Sequence, residues 1–360
     1  MKKEMNTSGL RALLEDRLKN ENAFVTYRKP GSNTLVTWIC DAPEFKSRFD
    51  VSEPGFVFSP FEPDREAVLF PYKASSLIRT PIQPLSWSPP ALVKDSDTND
   101  IDEARIRHID LVRKTVEEIR SGKADKIVVS RKEEIRNVQL DPVSVFMRLV
   151  SLYPQAYTYI WFHPEVGLWI GASPETLVEV EKRKFVTMSL AGTQRYHENE
   201  EVVWGKKELE EQRMVTDQIR KELGSMLDHV GEPFTQQAGH LLHLRTDIRG
   251  RLQEDNLLSD LISRLHPTAA ICGLPREQAL EFIQRNEGYS REYYSGFLGE
   301  VHYPVSGSAH LFVNLRCMRL FPDAKQARVY VGGGITASSL PEKEWEETRA
   351  KSETLKRVFS

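Results

Sequence analysis

Residues 157–193 read YTYIWFHPEVGLWIGASPETLVEVEKRKFVTMSLAGT and contain four short runs rich in β-branched and aromatic residues. Runs of this kind, broken by Pro, Gly or charged turns, predict a series of strands. Helical patterns precede and follow this block and do not alternate regularly with single strands. The sequence therefore predicts an α+β fold with antiparallel sheets.

Further elements are predicted on both sides of this block. Helices are predicted over 101–119, from the Asp141-Pro142 cap onward, and over 201–229, 275–286 and from Pro341 to near the end. Strands are predicted over 126–131, 241–252, 293–303, 309–321 and 327–331.

The first part of the chain is less distinctive. Residues 1–85 contain short alternating runs with Pro and Gly, which predict short strands and turns. Residues 80–100 are rich in Pro and then in Asp, and they are the best candidate for a linker. We predict that residues 1–95 form an N-terminal α/β extension of the fold that residues 96–360 adopt.

Two predicted helices carry carboxylates on the stripe that should be apolar. In the last helix Glu344 lies on the stripe that ends in Leu355, with Glu347 at its edge, and Glu211 lies four residues before Val215. A buried carboxylate is costly unless it is paired or binds a metal. Inward carboxylates with few other ligands suit Mg²⁺ better than Ca²⁺. The alternative is that they pair with Arg or Lys, or lie at a solvated rim.

Two other ionisable residues lie next to apolar strands. Lys126 opens the run KIVVSR, and a lysine in apolar surroundings can act as a base. Glu175 follows Pro174 at a rigid turn, where a desolvated carboxyl could be a general acid. The alternatives are an ordinary lysine at a strand edge and an ordinary acidic turn residue.

Three more features could bind an anion. The turns LAGT (190–193) and VGGGI (331–335) follow strands and could offer backbone N–H groups. Arg316 lies in the run LFVNLRC, which is predicted to be a strand, and a planar carboxylate would suit it as a buried partner. Each of these signals is weak alone.

Composition excludes several classes of protein. The chain has 49 basic and 52 acidic residues and no basic stripe with interleaved aromatics, so we expect no nucleic-acid partner. Three cysteines without CxxC spacing predict neither a disulfide framework nor a zinc site, and they fit a reduced cytoplasm. The N-terminus lacks the apolar core of a signal peptide, and no run approaches the roughly 20 apolar residues that span a bilayer. We therefore expect a cytoplasmic protein without a membrane partner.

Ten segments in a fixed order resemble the chorismate-utilising enzymes, which include isochorismate and salicylate synthases and the first components of anthranilate and aminodeoxychorismate synthases. The segments cover about residues 100–360 and are KIVVSR, GASPE, LAGT, EEQRMV, HLRTDIRG, LHPTAAICGLP, YYSGFLGEV, FVNLRC, VGGGI and PEKEWEETRAK. The resemblance implies the aminodeoxychorismate synthase-like fold, with two antiparallel sheets flanked by helices and the site between them. It makes residues 96–360 the chorismate-binding catalytic domain.

The resemblance also implies roles for individual residues. Glu211 and Glu344 correspond to Mg²⁺ ligands, and Glu347 to a carboxylate that reaches the ion directly or through water. The family's usual Glu-His pair reads Glu211-Gln212 here. The positions that correspond to chorismate-binding residues are Gly192, Thr193, His243, Ala270, Tyr294, Arg316, Gly332, Gly333 and Lys351.

Four positions bear on the reaction, which is attack at ring C2 with departure of the C4 hydroxyl. Lys126 resembles the base, and Glu175 the acid, of the enzymes that add water, whereas ammonia-using branches typically carry Gln at position 126. Aminodeoxychorismate synthases carry Lys where Ala191 stands. The aminating and salicylate-forming branches tend to have Thr where Ala270 stands. The resemblance therefore implies an Mg²⁺-dependent isochorismate synthase.

Two alternatives remain at this point. A salicylate synthase would form isochorismate and then eliminate pyruvate in the same site. A non-catalytic protein that binds small acids could share the fold. By resemblance to this branch we expect a monomer without an amidotransferase subunit, and the sequence does not decide between the menaquinone and siderophore pathways.

Overall fold

The computed structural model describes residues 3–83, 87, 98–136, 141–196, 202–239, 241–253 and 257–359. Its helices are α1 (Thr7–Lys19), α2 (Thr98–Arg120), α3 (Pro142–Leu152), α4 (Lys206–Leu223), α5 (Leu258–Leu265), α6 (Arg276–Asn286) and α7 (Pro341–Lys356). Its strands are β1 (Lys3–Glu4), β2 (Phe24–Arg28), β3 (Thr34–Cys40), β4 (Glu44–Lys46), β5 (Gly55–Ser59), β6 (Ala67–Pro71), β7 (Ser75–Pro81), β8 (Lys126–Ile135), β9 (Tyr157–His163), β10 (Gly167–Ser173), β11 (Thr176–Glu181), β12 (Lys184–Arg195), β13 (Leu227–Val230), β14 (Phe234–Ala238), β15 (Leu241–Arg251), β16 (Gly273–Leu274), β17 (Phe297–Val301), β18 (Ala309–Val313), β19 (Cys317–Phe321) and β20 (Gln326–Ile335).

The strands form two large sheets. The first has the order β1-β7-β3-β2-β9-β10-β19-β20-β8-β16, and the second β13-β15-β12-β11-β18-β17-β5-β6-β4, with β14 also paired to β15. The β1–β7 pair is parallel, and the ladders that build the centre of each sheet are antiparallel. The predicted α+β class with two antiparallel sheets is confirmed. The N-terminal strands are divided between both sheets, and the predicted boundary at residue 95 lies outside the described residues.

Aromatic side chains fill the space between the sheets. Phe58 of the second sheet lies with its ring centroid 4.7 Å from that of Trp161 in the first. Tyr157 and Phe312 stack across the same space at 4.1 Å. Because such rings bury large apolar areas, this layer joins the two sheets through contacts that exclude water. The outer faces are covered by helices, with α4 and α5 against the second sheet and α1, α3 and α7 against the first.

Several predicted elements are confirmed and some bounds were wrong. The short strands predicted within residues 1–85 are present, among them β2, β3 and β6, and so are the Asp141 N-cap and the last helix. The helix predicted to reach residue 229 ends at Leu223, because Gly224 has φ 49° and the chain continues into β13. Helices α1 and α5 were missed, since α5 has only 8 residues and α1 buries only two apolar side chains, Leu10 and Leu14. Most of the predicted linker 80–100 lies outside the described residues.

The run 309–321 is two strands, and the prediction of one continuous strand through Arg316 was wrong. The chain turns away between β18 and β19, and Arg316 has φ 48°. The side chain of Asn314 fixes this break, because its Nδ2 donates to Tyr293 O at 2.8 Å and its Oδ1 accepts from Tyr159 Oη at 2.7 Å. These partners are distant in sequence, so a local pattern could not reveal the break.

A buried ion pair ties β8 to the segment after α6. Arg291 Nε donates to Glu287 Oε2 at 2.9 Å, and its two terminal nitrogens donate to Ile271 O at 2.9 Å and Val128 O at 2.7 Å. Both side chains are 1% exposed. Since β8 carries Lys126, this pair also holds the strand that leads into the site.

We expect Arg291→Met to lower the free energy of unfolding by about 3–5 kcal/mol, because it leaves Glu287 buried without its partner. Arg285→Met is the matched control, since Arg285 pairs with Glu281 on the exposed face of α6. Exposed pairs contribute roughly 1 kcal/mol or less. Urea denaturation measures both values, and equal small changes would show that the buried pair is not a structural tie.

Candidate active site

A small cavity of about 80 Å³ lies where β8, β20, α4 and α7 meet the second sheet. Most of the residues that the sequence predicted for the site line it, namely Glu175, Gly192, Thr193, Glu211, His243, Ala270, Tyr294, Arg316, Gly332, Gly333, Glu347 and Lys351. The remaining two, Lys126 and Glu344, contact this lining. The structure therefore brings together residues that lie up to 225 positions apart, from Lys126 to Lys351.

The glycine triplet of β20 makes room for the side chains of the site. Gly332–Gly334 pair with Ser130–Val128 of β8. A Cβ at Gly334 would overlap Glu211 Oε1 and lie 2.8 Å from Lys126 Cε, and one at Gly332 would lie 2.8 Å from Tyr294 Oη. Successive side chains of a strand point to opposite faces, and the Cβ position of Gly333 accordingly faces Glu344 Oε2 at 3.5 Å.

Lys126 is fully buried at the beginning of β8. Its Nζ lies 2.8 Å from Glu211 Oε1, an ion-pair contact without hydrogen-bond geometry, so the ammonium is buried without a hydrogen-bond partner. Burial of an ammonium is costly, and the Glu211 carboxylate is its counter-charge. The expectation of an ordinary strand-edge lysine with a solvated head does not describe this residue.

Glu175 lies at the turn between β10 and β11 and is 3% exposed. Burial raises the pKa of Glu175 to about 8, although the positive charge of Lys126 acts in the opposite direction. The carboxyl is therefore protonated at neutral pH and can donate a proton to a departing group. The expectation of a solvated turn acid does not hold for this residue.

Two carboxylates of α7 face the site, and each contacts a different lysine. Glu344 contacts Lys207 of α4, and Glu347 Oε1 lies 2.6 Å from Lys351 Nζ, which donates to Gly332 O at 2.9 Å. Burial and the negative charge of Glu347 raise the pKa of Glu344. Burial acts in the same direction on Glu347, but Lys351 and Lys207 outweigh it and lower the pKa of Glu347.

The three predicted metal ligands have the chemistry that Mg²⁺ prefers, since all are carboxylates. Glu344 Oε2 is buried without a hydrogen-bond partner, so this oxygen could accept a cation. Within the described ranges, however, no three carboxylate, imidazole or thiol groups are arranged to hold a metal ion. Lys126 and Lys207 pair with Glu211 and Glu344, so the pairing alternative also describes this arrangement. The donor set fits Mg²⁺, and its role as a metal site stays a prediction.

Arg316 and His243 form a second polar group in the cavity. Arg316 Nη1 donates to Thr354 Oγ1 at 3.0 Å, and Nη2 lies 3.4 Å from His243 Nε2. Burial and the nearby Arg316 charge lower the pKa of His243 to about 3, so the imidazole is neutral. Its Nδ1 lies 2.9 Å from Gly192 O and therefore carries the proton, which leaves Nε2 to accept from Arg316.

Sequence reasoning missed Lys207, which contacts one of the predicted ligands. It lies four residues before Glu211 and eight before Val215, so it occupies the same helical stripe. That spacing was available in the sequence. The approach of α7 to this stripe was not, because it depends on how the two sheets pack.

Residues 78–357 match the family described as chorismate binding enzyme. This chain belongs to that family. Anthranilate synthase component 1 of Thermococcus kodakarensis is 31% identical over 257 residues, which cover 68% of this chain and 58% of that protein. Isochorismate synthase EntC of Escherichia coli is 29% identical over 247 residues, which cover 65% of this chain and 62% of that protein. The chain thus matches less than two thirds of the length of these relatives.

Solved structures confirm the predicted fold of this chorismate-binding enzyme. DhbC of Bacillus anthracis, described as a 2,3-dihydroxybenzoate-specific isochorismate synthase, superposes with a TM-score of 0.78 at 23% identity. The match covers 96% of this chain and 99% of that one. Anthranilate synthase components and isochorismate synthases are both among the relatives, so membership of the family does not decide which of these reactions the chain catalyses. In the part of the chain that the structure describes, no helix is long and apolar enough to cross a bilayer.

The neutral state of His243 is testable by NMR on ¹⁵N-histidine-labelled protein. We expect its ring resonances to stay constant between pH 5 and pH 8, because the pKa of His243 is lowered to about 3. His243→Gln identifies the resonances among the nine histidines. A titration midpoint above pH 5 for His243 would contradict the proposed hydrogen-bond direction from Arg316.

Proposed function

We propose that this protein is an isochorismate synthase, which adds water at ring C2 of chorismate with loss of the C4 hydroxyl in an Mg²⁺-dependent reaction. The observation that carries the proposal is the pair formed by Lys126 and Glu175. In a chorismate-binding enzyme, one cavity has a buried amine beside it and a buried, protonated carboxyl on its wall. The reaction needs a base for the attacking water and an acid for the departing hydroxyl.

The charges around the cavity suit a dicarboxylate substrate. Four cationic side chains, Lys126, Lys207, Lys351 and Arg316, lie at the cavity beside three carboxyl side chains, Glu211, Glu344 and Glu347. Glu175 adds no charge at neutral pH. The excess of positive charge attracts an anion, and Arg316 and Lys351 can bind carboxylate groups directly.

Mg²⁺ bound by Glu211 and Glu344, with Glu347 directly or through water, would supply positive charge to the ring carboxylate. The side chains of the protein do the proton transfers. Lys126, as the uncharged amine, takes the proton of the water that attacks C2, and its ion pair with Glu211 opens for this step. Glu175 gives its proton to the hydroxyl that leaves C4, so one water is consumed and one is released.

Two small side chains support water as the nucleophile. Ala191 and Ala270 both line the cavity, and their methyl side chains can neither hydrogen-bond to ammonia nor act as an amine nucleophile. The cavity is smaller than the roughly 300–1,000 Å³ of typical ligand sites, so side chains must move when chorismate enters. Elimination of pyruvate to give salicylate remains the alternative outcome of the assay.

The direct test is to incubate the purified protein with chorismate and Mg²⁺ and to separate the products by chromatography. We expect isochorismate to form and EDTA to abolish its formation. Salicylate and pyruvate without an added lyase would favour the salicylate synthase alternative, and anthranilate formed with ammonium salts would favour an aminating enzyme. Chorismate binding without turnover would support a non-catalytic protein.

The same assay tests Lys126. Lys126→Ala is expected to lower turnover by about 10²–10⁴-fold, the range of a general base. The control is Lys123→Ala, because Lys123 lies just before β8 but is exposed and pairs with Glu118. Near-wild-type turnover of Lys126→Ala would show that another group takes the proton.

The raised pKa of Glu175 gives a pH signature. We expect turnover to fall as the pH rises through about 8, since Glu175 then loses the proton that it donates. The effect on stability has the same sign. The folded-state pKa lies above the ordinary value of 4.5, so this contribution to stability is fully present below about pH 4.5 and is lost as the pH approaches 8.

Glu175→Gln removes both effects. Its turnover should be lower by about 10²–10⁴-fold, and its urea midpoint should change less between pH 5 and pH 8 than that of the wild type. Rates and urea midpoints are measured for both proteins over this range. A wild-type rate that is still rising above pH 9 would rule out Glu175 as the acid.

A further inference from the structure

We propose that the Lys207 ammonium is the counter-ion of the Glu344 carboxylate and is displaced into solvent when Mg²⁺ binds. Because this ion pair must break, Lys207 sets the affinity of the site for Mg²⁺. The inference rests on the proposed function only in taking Glu344 as a metal ligand. Nothing in the predicted site assigned a role to Lys207.

The position of Lys207 allows it to reach the site from the surface. It lies in the first turn of α4, one turn before Glu211, and its Nζ contacts Glu344 Oε1 across the gap between α4 and α7. The Glu344 side chain is 1% exposed, whereas that of Lys207 is 26% exposed. The lysine stem therefore runs from solvent to a buried carboxylate, and it can withdraw without passing through the protein.

The other lysines of the site contact carboxylates other than Glu344. Lys126 contacts Glu211 at 2.8 Å, and Lys351 contacts Glu347 at 2.6 Å and donates to Gly332 O. Glu344 thus depends on Lys207 for its counter-charge. Because an ionised carboxylate buried without a partner is strongly destabilising, the contact of Lys207 stabilises the packing of α7 against α4 before an ion binds.

The contact is also incomplete. Lys207 reaches Oε1 of Glu344, whereas Oε2 is buried without a hydrogen-bond partner. A hard divalent cation, which takes several oxygen ligands, suits this carboxylate better than an ammonium does. The two cations repel each other and cannot both contact Glu344 closely. Binding of Mg²⁺ must therefore break the Lys207–Glu344 pair, and this loss weakens the apparent affinity.

The first experiment is calorimetric titration of the EDTA-treated full-length protein with Mg²⁺ alone. We expect Lys207→Met to bind Mg²⁺ roughly tenfold more tightly than the wild type, and Lys206→Met to differ from it by about twofold or less. Lys206 is the matched control because it is adjacent and exposed, and its substitution changes the net charge equally. Without the ion, Lys207→Met should also melt at a lower temperature than Lys206→Met.

The second experiment uses the wild type, so it does not depend on the folding of a variant. Brief treatment with an amine-acetylating reagent, followed by mass spectrometry, reports the reactivity of Lys207 relative to Lys206 in the same peptide. We expect saturating Mg²⁺ to raise this ratio several-fold, because the displaced ammonium moves into solvent. The same protein treated with EDTA, without added Mg²⁺, gives the reference value for the ratio of Lys207 to Lys206 reactivity.

The outcomes separate this inference from the proposed function. An unchanged reactivity ratio at saturating Mg²⁺, or equal Mg²⁺ affinities for the two methionine variants, overturns the role of Lys207 even if isochorismate is formed. Failure of every variant to bind Mg²⁺ also overturns it. Displacement of Lys207 by Mg²⁺ in a protein that does not convert chorismate would support the inference and contradict the proposed function.

Discussion

The absence of side chains at Gly332–Gly334 is the constraint on which the site depends. At Gly334 a single added methyl would displace the ends of Glu211 and Lys126, and at Gly332 it would meet Tyr294 Oη and a backbone oxygen of β8. Because β20 lies beside β8 near one edge of the first sheet, helices from both sides can bring charged groups up to its backbone. The triplet thus converts a strand, which would normally contribute core side chains, into one wall of a polar cavity.

Charge compensation within this cavity follows from its surroundings. Tyr294 and Tyr330 stack next to the glycines with ring centroids 5.5 Å apart, and they belong to the aromatic layer between the sheets. In such a poorly solvated region an isolated charge is costly, so each of the three carboxylates has a lysine partner. At Glu175 burial outweighs the positive charge of Lys126 and raises the pKa to about 8, which favours the protonated form at neutral pH. The same burial therefore produces both the ion pairs and the proton donor.

Helix faces and motif order were predictable from the sequence, whereas the meeting of elements was not. The stripe that places Glu344 in line with Leu355 follows from the helical period alone, and both residues are buried. The ordered motifs predicted that Lys126, Glu175, Arg316 and the glycines would converge, and the structure places them together. The turn at Arg316 was hidden, because it depends on the bonds of Asn314 to Tyr293 in the turn before β17 and to Tyr159 on β9. The role of Lys207 depends in the same way on the approach of α7.

The contact between Lys126 and Glu211 links the proposed base to the proposed metal site. An anthranilate synthase component and an isochorismate synthase both match this chain, so membership of the family does not determine the product. The Nζ of Lys126, the proposed base, is also the counter-charge of Glu211 at 2.8 Å. A neutral side chain at position 126 would leave Glu211 without this partner and would increase the negative charge available to a cation. A substitution that removes the proposed base therefore also changes the charge next to a proposed metal ligand, because Lys126 and Glu211 form one buried ion pair.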